Sequence, residues 1–199
     1  MIRAVINHME QHLPHDEVFV FFWLFYRRIE QHIVPQCCKI FSHTLLNAVP
    51  VRANGFPIDK KDFKAGDFWS QINRLKAAGE GFDCVFLDPP LYSATRKGVV
   101  DLLQSYSRLI NKVRPLINHD GFLVAINNAL FHSGAAYLGE IEPLCADGYL
   151  TVQELIPVPE DFIGAQQTPS AALAADPTPF NHSTKIVVLK VRRKASSSA

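Results

Sequence analysis

The sequence predicts an α/β fold: an open sheet that is mostly parallel and finishes in an antiparallel C-terminal hairpin. Three observations carry that expectation. Two continuous apolar runs, Cys84–Leu87 and Phe122–Ile126, read as strands buried on both faces. Segments with apolar residues recurring at three and four lie before, between and after them, the pattern of amphipathic helices. The last two strand-like runs, Thr151–Ile156 and Lys185–Val191, have no helical pattern between them, only a Pro-rich stretch from Pro157 to Ser183.

Taken in order, the longest apolar run is Val18–Tyr26, too short to cross a bilayer core of about 30 Å as a helix. It follows Asp16 and Glu17 and no small-residue cleavage site comes after it, so neither a membrane span nor a signal peptide is expected. Val18–Phe25 is the candidate first strand, running into Tyr26–His32, which reads as helical or exposed. Cys38–Phe41 is the candidate second strand, followed by Ser42 and His43. Asp62–Asp67 reads as a short strand stopped by Gly66. Phe68–Ala78 reads as a helix with Phe68, Ile72 and Leu75 on one face, ended by Gly79 and Gly81.

After the Cys84–Leu87 strand, Val99–Ile117 has apolar residues at Val99, Leu102, Leu103, Tyr106, Leu109, Ile110, Val113 and Leu116, a long helix by spacing. Asn118–Gly121 makes a turn and Phe122–Ile126 a strand ending in Asn127-Asn128. Gly134–Ala146 is the last predicted helix, closed by Asp147-Gly148.

The 199 residues suit one domain, and 48% hydrophobic with 20% charged residues is a globular balance. With a net charge of +1, no broad basic surface advertises nucleic acid. One local cluster, Lys190, Arg192, Arg193 and Lys194, reads more simply as a solvated strand end than as an RNA contact. Cys37, Cys38, Cys84 and Cys145 contain no Cys-x-x-Cys pair, and His12, His15 and His32 lack metal-ligand spacing, so no metal is expected. The scattered cysteines fit a reducing cytoplasmic setting.

In open α/β sheets ligands bind at the carboxyl ends of strands. Asp67, Asp88 and Asn127, which directly follow apolar runs, are therefore the residues expected to share a crevice. Asp88-Pro89-Pro90-Leu91-Tyr92 is the sharpest motif. The prolines fix the backbone and donate no hydrogen bond. Asp88 and the free carbonyls can accept from an amine, and Tyr92 offers a face for a flat base. A rigid loop with Asp88 capping local amides remains open as the alternative.

Phe82-Asp-Cys-Val-Phe-Leu-Asp-Pro-Pro-Leu-Tyr92 resembles the motif of class I S-adenosylmethionine-dependent methyltransferases, in particular the group acting on bases of large-subunit ribosomal RNA. The resemblance extends over roughly Asn47–Lys194. It includes Asn54-Gly55, Gly66-Asp67-Phe68, Asn127-Asn128, Asp176-Pro177 and Pro179-Phe180-Asn181-His182. It implies a Rossmann-like methyltransferase domain at 46–194, an atypical segment at 1–45, a disordered tail at 195–199, and S-adenosylmethionine as cofactor. Asp67, Phe68 and Asp88 are the implied cofactor residues, with Asp67 accepting from the adenine amino group and Phe68 beside the ring. Asp88, Pro89, Pro90 and Tyr92 form the implied catalytic loop, and Asn127 and Asn128 hold the target nucleotide or make a polar turn. Neither Cys84 nor Cys145 is placed as a nucleophile for carbon methylation, so a base nitrogen is the expected target. His182 contacts substrate or makes local turn bonds.

One part of the pattern is missing. The family holds its cofactor on a glycine-rich loop after the first strand, but this chain has no glycine before Gly55. The acid expected after the second strand is replaced by Ser42-His43. The fold is therefore expected to be incomplete at its N-terminal side. A truncated or degenerate methyltransferase-fold protein without catalysis stands as one alternative. A small-molecule methyltransferase stands as the other.

Overall fold

The structure is a computed structural model that describes residues 24–27, 34–37, 67–95, 98–101, 103, 106–159 and 175–193. Helix α1, Phe68–Ala77, starts where Asp67 adopts an extended backbone and its side chain accepts from Ser70 N. That bond satisfies one of the amides a helix start leaves open. Phe68, Trp69, Ile72 and Leu75 are buried. The helix stops at Gly79, whose φ is 68°. Gly79 N donates to Lys76 O at 3.1 Å and Glu80 N to Leu75 O at 3.1 Å, the paired closure that needs a left-handed residue at this point.

The six-stranded sheet has the order β2-β1-β3-β6-β8-β7. Its strands are β1 Leu24–Arg27, β2 Val34–Cys37, β3 Phe82–Leu87, β6 Ile117–Asn127, β7 Leu150–Ile156 and β8 Lys185–Val191. A separate two-stranded sheet joins β4 Tyr92–Thr95 to β5 Gly98–Asp101. The C-terminal antiparallel hairpin is as expected, with β8 lying between β6 and β7 and antiparallel to both.

The mostly parallel sheet is not observed among the described strands. Only β3 and β6 run parallel; β1 is antiparallel to both β2 and β3. Apolar runs report burial on two faces but not direction, which follows from the connections. Residues 28–33 between β1 and β2 are too few for a parallel crossover, which takes a dozen or more. These strands also differ from the candidate runs Val18–Phe25 and Cys38–Phe41, most of which lie outside the described residues, as does the Asp62–Gly66 run. Tyr26 and Arg27, where a helical or exposed segment was expected to begin, are extended in β1 rather than helical.

The long helix expected over Val99–Ile117 is shorter. Helix α2 covers Tyr106–Val113, with a 3-10 turn at Arg114–Leu116. Val99 and Val100 belong to β5, opposite Ala94 and Ser93. Valine's branched Cβ favours a pleated strand over a helix, and Leu102 and Leu103 happened to continue a helical spacing. The turn expected at Asn118–Gly121 is an irregularity inside β6. Asp120 takes φ 62°, and the β3–β6 register shifts between the pairs Phe82↔Ile117 and Cys84↔Phe122. A Cβ on Gly121 would sit 2.7 Å from Asp83 O, so the strands approach closely there because the residue is glycine.

Helix α3, Gly134–Cys145, begins with Ser133 Oγ accepting from Ala136 N at 3.0 Å. Tyr106, Leu109, Ile110 and Val113 of α2 and Tyr137 and Ile141 of α3 join the apolar strand faces in one buried cluster. Glu140 of α3 accepts from the backbone amides of Tyr106 and Ser107, which caps the start of α2 from a neighbouring helix.

Candidate active site

The parallel pairing of β3 and β6 ends with Leu87 opposite Ala125, and the chemistry of interest begins one residue beyond β3. Two buried tyrosines hold these strand ends from beneath. The Tyr106 hydroxyl lies 3.0 Å from Leu87 O and 2.9 Å from Ile126 O, offering its one proton to both strand tips. The Tyr137 hydroxyl donates to Ala125 O at 3.0 Å. The rings meet edge to face at 5.1 Å. Burial raises the pKa of both phenols, so they act as neutral donors.

Above them, Asn128 Nδ2 donates to Asp88 Oδ1 at 2.6 Å. This bond ties the loop after β3 to the loop after β6. Asp88 is pushed up to about 6 by burial, against a lowering contribution from the Asn128 amide. The carboxylate is thus desolvated yet held in one orientation, with only one oxygen engaged by Asn128. Pro89 is buried, while Pro90, Leu91 and Tyr92 are exposed.

The adjacent residues Asn127 and Asn128 make different bonds. The Asn127 side chain is buried, and Oδ1 accepts from Ala129 N at 2.8 Å. This is the polar-turn alternative, whereas Asn128 is the residue that reaches Asp88. Asp67 Oδ1 accepts from Ser70 N at 3.0 Å and Ser70 Oγ at 2.9 Å. The structure therefore joins Asp88 to Asn128 directly, and the bonds described for Asp67 anchor it to its own helix. Phe68, expected beside the adenine ring, is only 2% exposed and meets Trp69 edge to face at 4.9 Å. Its ring belongs to the core.

The Pro179–His182 stretch is structural in its described bonds. Asn181 accepts from Val158 N and donates to Val158 O, both at 2.8 Å, which clamps the chain leaving β7 to the chain entering β8. His182 Nδ1 accepts from Thr184 N at 3.0 Å, the local turn role. Phe180 packs on Tyr137 at 5.9 Å. Gly134 N donates to Asp176 O at 2.9 Å, and a Cβ on Gly134 would collide with Pro177 O.

Lys185 is a buried polar residue that the motifs did not point to. It opens β8 opposite Asn127, is 1% exposed, and donates from Nζ to Ala129 O at 2.9 Å and Ser183 O at 2.6 Å. Burial lowers it to about 8. A lysine at the head of an otherwise apolar run was the available signal. Nearby, His132 Nε2 and Glu140 Oε1 are 3.2 Å apart but not aligned as a hydrogen bond. Burial lowers His132 and raises Glu140, which favours the neutral form of each.

No family model matches the chain. Its sequence is similar to ribosomal RNA large subunit methyltransferase I of Photobacterium profundum, 25% identical over 117 residues, which is 59% of this chain and 28% of that protein. The enzyme of the same name from Erwinia tasmaniensis is 24% identical over 119 residues, 60% of this chain and 29% of the relative. Ribosomal RNA large subunit methyltransferase K/L of Psychrobacter cryohalolentis is 34% identical over 85 residues, covering 42% of this chain and 10% of the relative. The chain spans less than a third of the length of each. Among solved structures, SMU.776, a candidate methyltransferase complexed with SAH, has a TM-score of 0.57 at 19% identity, covering 77% of this chain and 38% of that one. A candidate SAM-dependent methyltransferase from Streptococcus mutans gives 0.55 at 17% identity, covering 77% and 37%.

The chain carries a class I methyltransferase fold. Within a methyltransferase sheet, Asp88 and Asn128 occupy the carboxyl tips of the parallel pair, the edge where ligands bind in open α/β sheets. The acceptor described there fits part of a nucleoside-bearing cofactor: the oriented Asp88 carboxylate suits an amine, and Asp67, at the start of α1, is a second fixed acceptor. The segments expected to cradle the remainder, Asn54-Gly55 and the first two candidate strands, lie largely outside the described residues.

Proposed function

We propose that the chain is an S-adenosylmethionine-dependent methyltransferase acting on a base nitrogen of ribosomal RNA. The Asp88–Asn128 bond at the tips of β3 and β6 carries the reading. It presents an oriented carboxylate beside a proline-fixed loop, in a fold shared with methyltransferases. The similarity to ribosomal RNA large subunit methyltransferases supports the substrate class.

The cofactor, when bound, supplies an electrophilic methyl group on a sulfonium centre. Asp67 accepts from its adenine amino group. Asn128 holds Asp88 Oδ1, leaving the second oxygen to accept from the target amine and to align its nitrogen. The backbone carbonyls of the Pro89-Pro90 loop add acceptors on the same edge, and Tyr92 covers one face of the base. Alignment and charge placement contribute most, because direct attack by nitrogen needs no strong base. Cys84 is buried within β3, and burial raises the Cys145 thiol at the end of α3. Neither of these two cysteines is placed as an accessible nucleophile, which supports nitrogen over carbon as the target.

A second reading has its own observation. The lack of any glycine before Gly55 favours a methyltransferase fold that no longer holds the cofactor. Calorimetric titration with S-adenosylmethionine separates the two. Saturable binding is the expected result, and no heat at millimolar cofactor would remove the enzymatic reading. Transfer of a tritiated methyl group to ribosomal RNA, with a metabolite extract in parallel, then distinguishes RNA from a small-molecule substrate.

A further inference from the structure

The segment after β6 contains an unusual turn. His132 N donates to Ala129 O at 3.4 Å, closing a turn whose two corner residues are Leu130 and Phe131. Corner positions ordinarily carry Gly, Pro, Asn, Asp or Ser. Here they carry two large apolar side chains, 54% and 74% exposed. The flanking residues Ala129 and His132 are buried, so the turn is fixed at both feet. Lys185 Nζ grips Ala129 O from the next strand, and Asn127 Oδ1 accepts from Ala129 N. A buried lysine is costly to place, and one of its two described bonds is to this turn. The turn is thus a rigid mount for exposed apolar groups.

Its location adds a second observation. Beyond β3 the chain also presents an exposed apolar pair, Leu91 and Tyr92, the latter 62% exposed at the start of β4. The Asp88–Asn128 bond couples the two loops at 2.6 Å. Chain reach places the Cα of Tyr92 within ~14 Å of Asp88 and that of Phe131 within ~11 Å of Asn128. A polar pair able to hydrogen-bond a ring edge thus has an exposed aromatic within a few residues along each of the two chains that leave it. That combination suits a planar heteroaromatic base taken out of an RNA stack, which has polar edges and apolar faces.

We infer that the Leu130-Phe131 turn is a base-stacking element for an unpaired nucleotide, complementing Tyr92 across the Asp88–Asn128 pair, with Lys185 as its positioning residue. The inference rests on the RNA substrate class proposed above and names the residues that would hold it. Stacking of a base on an aromatic side chain contributes about 1–3 kcal/mol, or roughly fivefold to 150-fold in affinity.

The test uses the full chain and a fluorescein-labelled single-stranded RNA oligonucleotide, followed by anisotropy, with the same sequence as a duplex for comparison. Wild type should prefer the single strand. Phe131→Ala and Phe131→Leu should each weaken its binding by at least about fivefold, with unchanged thermal midpoints because the side chain is exposed. Phe131→Trp should restore affinity. Lys185→Met should weaken binding in the same direction, through the mount. Equal affinity of wild type, Phe131→Ala and Phe131→Leu overturns the inference. If methyl transfer to ribosomal RNA persists while those affinities are equal, the proposed activity stands and only the stacking role falls. If wild type binds S-adenosylmethionine but no single-stranded RNA, both the stacking role and the RNA substrate class fall.

Discussion

At the scale of single residues, Asp88 and Tyr106 make the sharpest predictions. Asp88 carries its proton up to about pH 6 in the folded chain, against an ordinary value of 3.8. The folded state therefore binds more protons than the unfolded state between those values, and its contribution to stability falls as pH rises through that window. Asp88→Asn should flatten this part of the stability profile in urea titrations run at several pH values. Only the ionised carboxylate accepts with both oxygens, so transfer should rise with pH through about 6, and Asp88→Ala should abolish it while leaving the fold intact. Tyr106→Phe removes the hydroxyl shared by Leu87 O and Ile126 O. It should cost about 1–3 kcal/mol in denaturant unfolding, because two buried carbonyls lose their donor. Unchanged stability would mean that those carbonyls are satisfied elsewhere.

At the scale of elements, the buried lysine and the close-approach glycine test how the loops are mounted. Lys185 loses its proton near pH 8 when folded, against an ordinary 10.5. Between those values the unfolded chain binds more protons, so this group makes stability rise with pH. Lys185→Met should remove that rise and free the Ala129–His132 turn, detectable as faster amide exchange there. Gly134→Ala would place a methyl group against Pro177 O. Forcing the start of α3 from the chain before β8 should cost about 1–3 kcal/mol, read from the urea midpoint. Much of this level was legible in the sequence. The expected helix at Phe68–Ala78 and the strand at Lys185–Val191 match α1 and β8 within a residue, because the helix shows apolar periodicity ended by a glycine and the strand is a nearly continuous apolar run. Val99–Ile117 misled because a strand and a helix adjoin in it with a shared apolar spacing. Asp88 was legible because two prolines follow an apolar run. The Leu130-Phe131 turn was not, since exposure at a turn corner depends on contacts from a distant strand, and Lys185 showed only as a lysine heading an apolar run, with nothing to tell its partners.

At the scale of the whole molecule, strand direction was the property least visible in the sequence. Burial on two faces looks the same in parallel and antiparallel strands, and the described sheet is mixed, with its one parallel pair at the site. That pair, rather than the number of parallel strands, brings Asp88 and Asn128 together. The methyltransferase reading accordingly depends on a local arrangement of two strand tips set in a shared fold. Incorporation of a tritiated methyl group from S-adenosylmethionine into large-subunit ribosomal RNA, comparing wild type with Asp88→Ala, examines that arrangement most directly. The account expects label in the RNA with wild type and none above background with the variant; equal labelling by the two proteins, or no labelling by a wild type that binds the cofactor, would contradict it.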